Sequence, residues 1–151
     1  MHWEEKIDII KRETDPKDFK VPFTSWPSIF KMMEEKFIIK ENSTYTFSNW
    51  SARLKDKQEI YRFNIAELEH KISMLNESQN YWIILSGDDA TATNIVYDAK
   101  PYVIMRLLRL RMKDFYIVDK KYDWLAYFSL DNHQGVTAYK SGQAVTPWET
   151  K

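Results

Sequence analysis

Apolar positions recur at two different periods along this chain of 151 residues, and the period changes near Asn76. Before that point the spacing is helical. Trp3, Ile7 and Ile10 share one stripe, so residues 3–12 read as a short amphipathic helix that Thr14-Asp15-Pro16 ends. A loop over residues 16–24 follows. Ser25 is placed to cap a second helix, with Pro27 tolerated in its first turn. Ile29, Phe30, Met33 and Phe37 make its core-facing stripe, while Met32 with Met33 is the adaptable-surface alternative. Glu41–Trp50 alternates as a short strand would, and residues 51–60 fit a loop or a helix equally. Asn64 and Glu67 have the spacing of a capping box, opening a helix over Ile65–Leu75.

After Asn76 the pattern is that of strands. Tyr81–Leu85 is apolar on both faces, as a covered central strand should be, and Asn94–Tyr97 resembles the next one. A helix over Ala99–Met112, with Asp98 as its cap, buries Val103, Ile104, Leu107, Leu108 and Leu110. Three more strands are expected at Phe115–Val118, Trp124–Leu130 and Val136–Tyr139, joined by loops of hairpin length. In the second of these, Trp124, Ala126, Phe128 and Leu130 take the core side. The order of elements predicts one α+β domain over residues 1–151, a mainly antiparallel sheet of about five strands packed with three to four helices. One parallel crossover around the helix is the alternative.

Composition narrows the function more than the fold. Charge balances at 22 basic against 22 acidic residues, which removes the usual argument for phosphate neutralisation and makes nucleic acid an unlikely partner. No cysteine means no thiol nucleophile, disulfide or thiolate metal site. Three glycines, Gly87, Gly135 and Gly142, are too few and too scattered for a phosphate-cradling loop, so no cofactor is expected. A charged N-terminal stretch and the lack of a long apolar run lead to the expectation of a cytoplasmic protein with no membrane span.

The candidate chemistry is sparse. His2, His70 and His133 lack metal-ligand spacing. His133 with Asp131 has the makings of a general base, yet Asp131–Gly135 is also what a hairpin turn needs. Asp88 and Asp89 lack the further acids of a calcium loop. With Glu77 and Asp98 they instead gather negative charge at two strand ends, suited to a basic partner. Arg106, Arg109 and Lys113 share an outward helix face, and Arg111 points into the apolar stripe, where it needs an acid or a route to solvent.

The run FYIVDKKYDWLAYFSLDNHQGV resembles the C-terminal signature of a family of small uncharacterised bacterial proteins. The likeness rests on Phe115–Val118, Lys120, Lys121, Tyr122, Asp123 and Trp124, with His133 beyond them. That family implies no activity. In size and layout the chain is also similar to single-domain immunity proteins, which implies a protein partner such as a toxin domain. The partner-binding candidates are therefore Glu77, Asp88, Asp89, Asp98, Lys120, Lys121, Asp131 and His133. A small enzyme using the loop Asp and His residues, or a nucleic-acid-binding protein using Arg106, Arg109 and Lys113, is the competing class, and exposed aromatics would serve a homodimer equally well.

Overall fold

A computed structural model describes residues 3–20, 26–37, 57–86, 96–110, 114–129 and 133–139. Helix α1 (Trp3–Glu13) buries Ile7 and Ile10, and the Thr14 hydroxyl closes its last turn by donating to the Ile10 carbonyl at 2.9 Å. Asp15 then turns the chain, accepting the Lys17 N–H on its side chain and the Asp18 N–H on its backbone. That turn delivers a two-residue strand, β1 (Phe19–Lys20), within the stretch expected to be a loop. Helix α2 (Trp26–Phe37) buries Met33 and Phe37 and leaves Met32 exposed, which settles Met33 as core.

Strand β2 (Lys57–Arg62) replaces the loop or helix expected over 51–60. Helix α3 (Ile65–Ser73) begins as its spacing predicts: Asn64 accepts the Glu67 N–H at 2.8 Å, and Glu67 accepts the Asn64 N–H at 3.1 Å. Strands β3 (Tyr81–Ser86) and β4 (Val96–Ala99) lead into helix α4 (Pro101–Leu108). Asp98 does not cap α4. It lies within β4, and the helix starts from Lys100, with Pro101 in the first turn. Strands β5 (Asp114–Val118), β6 (Trp124–Ser129) and β7 (Gln134–Tyr139) complete the order.

The fold is α+β. Its described strands make one antiparallel sheet in the order β1-β4-β3-β5-β6-β7-β2, seven among the described residues where about five were expected. β4 and β5 both pair antiparallel with β3, from opposite sides, so α4 carries the chain across β3 without forming a parallel pair. Both faces of the sheet are covered. On the front, α1, α3 and α4 pack over Ile83, Phe115, Ile117, Trp124, Ala126 and Phe128. On the back, Met33 and Phe37 of α2 cover Ile84, Val96, Tyr116, Val118, Leu125 and Ala138. Trp124, Ala126 and Phe128 thus take the larger core, as their alternation predicts, but Leu125 is equally buried on the other side. No described helix is long and apolar enough to cross a membrane.

The Ser25 cap, the Glu41–Trp50 strand, Asp88, Asp89, Arg111, Lys113, Leu130 and Asp131 lie outside the described residues.

Candidate functional site: two grooves beside one ridge

The β5–β6 connection, Asp119–Asp123, is wound around one carboxylate. Asp119 Oδ1 accepts the N–H groups of Asp123 at 2.7 Å and Trp124 at 3.1 Å, while its carbonyl accepts the Tyr122 N–H. Tyr122 takes a left-handed backbone (φ 58°) to close the turn. Burial pushes the Asp119 carboxyl above the usual aspartate range, against those amide bonds.

This winding sends the two adjacent lysines in different directions. Lys120 returns to the back face of the sheet, where its ammonium sits 2.7 Å from Asp98 Oδ2 and 4.5 Å from the centre of the Trp82 ring. Asp98 stands beside Trp82 and Lys20 in the strand register. Its other oxygen accepts from Asn80 Nδ2 at 2.7 Å, and the same amide donates to the Lys17 carbonyl at 3.0 Å. An acid this deeply buried must be paired, and here each oxygen has its own donor. Lys121 is also exposed but takes no part in this pair.

At this end of the sheet lies a groove of about 580 Å³. Its walls carry Lys17, Lys20, Lys120 and Lys121, with Asp119 and Asp123, and the buried edges of Tyr81 and Trp124 reach it. The Tyr81 hydroxyl is also buried, which pushes its pKa up, and it accepts the Asn76 N–H at 3.1 Å.

A second groove, of about 530 Å³, runs between the end of α3 and the start of α4, over Pro101, Tyr102 and Met105. Asp18, Lys100, Glu77 and Arg109 line its rim. The Tyr102 hydroxyl donates to Asp18 Oδ2 at 2.6 Å, and Lys100 Nζ lies 3.0 Å from Oδ1. The phenol and the ammonium hold the Asp18 carboxyl below its ordinary value, and the same bond holds the Tyr102 phenol above its own. Both shifts move away from neutrality, so this pair is poorly tuned for passing protons near pH 7. What it does well is fix an aromatic ring that remains 49% exposed.

The two grooves flank a ridge built from Lys17–Lys20 and Glu77–Asn80, and the expected partner-binding residues divide around it. Glu77 is exposed on the second groove, and Lys121 is exposed on the first. Lys120, itself exposed, neutralises the buried Asp98, so Asp98 adds nothing to an acidic surface. His133 stands at the other end of β6, exposed, with a left-handed backbone (φ 54°) and a carbonyl that accepts the Phe63 N–H. It is not brought near the lysines.

On the outward face of α4, Arg106 pairs with Glu13, and Arg109 lies 3.5 Å from Glu69, so neither is an uncommitted phosphate ligand. No group of three or more His, Asp or Glu able to hold a metal ion occurs among the described residues. Asn80, Trp82, Asp18 and Tyr102 were not singled out from sequence. The signal for Asn80 was Asp98 itself, an acid inside the apolar run Val96-Tyr97-Asp98-Ala99 that needed donors.

A family model described as a family of unknown function, DUF6756, matches residues 6–146. The chain belongs to this family. In DUF6756 terms the match takes in both grooves and the ridge, not the C-terminal third alone. No curated protein and no solved structure matches the chain.

Proposed function

We propose that this chain is a protein-binding module, a bacterial immunity protein that neutralises a toxin by direct contact in the cytoplasm. The observation that carries the reading is Tyr102. Its ring is exposed beside an open groove, yet its hydroxyl is tied to Asp18, which Lys100 holds in turn. An aromatic fixed before contact loses little conformational freedom on binding, and such residues dominate interface energetics. The upward shift of Tyr102 and the downward shift of Asp18 support contact rather than proton transfer as the role of this cluster.

The test is calorimetry of the purified chain against the product of the gene adjoining its own. The expected result is saturable binding that protects cells from that product. Tyr102→Ala should weaken the binding by about 2 kcal/mol or more while leaving the fold intact. Absence of binding, or a partner that tolerates Tyr102→Ala unchanged, rejects the reading. Self-association through the same ring would show as a concentration-dependent mass in sedimentation, and would also reject it.

A further inference from the structure

We infer that the lysine-lined groove at the start of β3 and β6 is a docking site for an acidic polypeptide segment, its carboxylates met by Lys17, Lys20 and Lys121. The inference shares with the proposed function only the idea of a protein ligand; it concerns the opposite side of the ridge from Tyr102.

The argument rests on which charges are already spent. Lys120 is committed to Asp98 and to the Trp82 ring. Asp119 is turned into its own loop, with two amide N–H groups on one oxygen; Asp123, half-buried on the wall, offsets one positive charge of the groove. The remaining lysines are not spent. Lys17 approaches Asp15 only at 4.0 Å, with both side chains largely in solvent, a contact that salt and water leave almost without value. Lys20 and Lys121 are exposed and make no ion pair among the described residues. In a chain of zero net charge, three uncommitted ammonium groups around one groove form a local positive field, and such fields select partners of the opposite sign.

The character of the groove favours a peptide over nucleic acid. Bases bind single-strand sites by stacking on open aromatic faces, but Tyr81 and Trp124 are only 4% and 8% exposed. Asp123 on the wall would oppose an unbroken line of phosphates, whereas an extended peptide carries its carboxylates at intervals of about 7 Å on one side and can step past it. Long lysine stems adjust to that spacing.

The experiment titrates hexaglutamate into the full chain and follows backbone amide shifts by NMR. Hexalysine, inorganic triphosphate and oligothymidylate serve as parallel probes. Hexaglutamate should shift Asn80, Lys121 and Trp124, with affinity falling about tenfold between about 20 and about 200 mM salt. The pair Lys17→Glu and Lys121→Glu should abolish the shifts, and Lys17→Gln with Lys121→Gln should weaken them. Lys31→Glu, on the exposed part of α2, should change nothing. Lys20 is left unaltered because its register neighbour is the buried Asp98. No shift at these residues, or shifts indifferent to the lysine substitutions, overturns the inference. Tighter binding of triphosphate or oligothymidylate at the same lysines overturns it too, by making this a phosphate site. A protein partner bound through Tyr102 while hexaglutamate leaves the groove untouched separates failure here from failure of the proposed function.

Discussion

Asp119 accepts the Asp123 and Trp124 amides on one oxygen, and this makes its charge separable from those hydrogen bonds. Because burial raises its carboxyl in the folded chain, the folded state holds the proton more tightly than the unfolded state does. Its contribution to stability is therefore complete below the ordinary aspartate value of 3.8, and is lost as pH rises through the higher folded value. Asp18 runs the other way: held low by Tyr102 and Lys100, its contribution is present above the ordinary value and lost as pH falls through the lower one. Asp119→Asn keeps an oxygen for the Asp123 and Trp124 amides while removing the charge. Urea denaturation across pH should show the variant at least as stable as the parent near pH 7, without the parent's decline through the window just above 3.8. Asp119→Ala should instead cost about 1–2 kcal/mol at every pH, since it strands buried N–H groups. A matching loss in both variants would refute the assignment. The sequence shows Asp119 as one polar residue in a plausible hairpin. That it faces inward depends on how the loop packs against Tyr81 and Trp124, and no local pattern encodes that.

The elements differ in how far their own residues determine them. Helix α3 was legible to its first residue, because Asn64 and Glu67 act on each other within one turn. Strand β2 was not: Lys57–Arg62 lacks a clean alternation, and it becomes a strand by pairing with β7, which lies far along the chain. Helix α4 shows both cases. Its buried face was evident, but its start differs because Asp98 is a good cap by composition, and the pairing of Asp98 with Trp82 on one side and Lys20 on the other keeps it extended. In the β6–β7 turn, His133 pays a left-handed backbone cost with a side chain that is exposed. Glycine adopts that backbone freely, although it also loses more entropy on folding. The balance predicts that His133→Gly leaves thermal stability unchanged or raises it by up to about 1 kcal/mol, as scanning calorimetry would measure. A marked loss would mean that the imidazole contributes more than its contact with Phe63.

At the scale of the whole molecule the described helices divide unequally over the sheet, three on the front and α2 on the back. β3, β5 and β6 are paired on both sides and covered on both faces, whereas β1 contributes two residues at an edge. Native-state hydrogen exchange should accordingly find the slowest amides in β3, β5 and β6, approaching the global unfolding free energy, and the fastest sheet amides in β1. Uniform protection across the sheet would contradict this ranking. The three-layer arrangement was only half legible. The sequence showed strands apolar on both faces, but assigning α2 to the back by itself requires knowing which strands are neighbours.

The β2–β7 pairing carries a consequence for biosynthesis. As the chain leaves the ribosome, β2 appears about seventy residues ahead of β7, its sheet neighbour among the described residues. Until β7 emerges, β2 has no neighbour to bond among the described strands, and β6 lacks one of its two. The nascent protein therefore passes through a stage with two unsatisfied strand edges, the state in which β-rich chains recruit chaperones or stick to one another. Substitutions that slow closure of β7 onto β2 and β6 would then be felt as lost yield in the cell before they register as lost stability in the test tube.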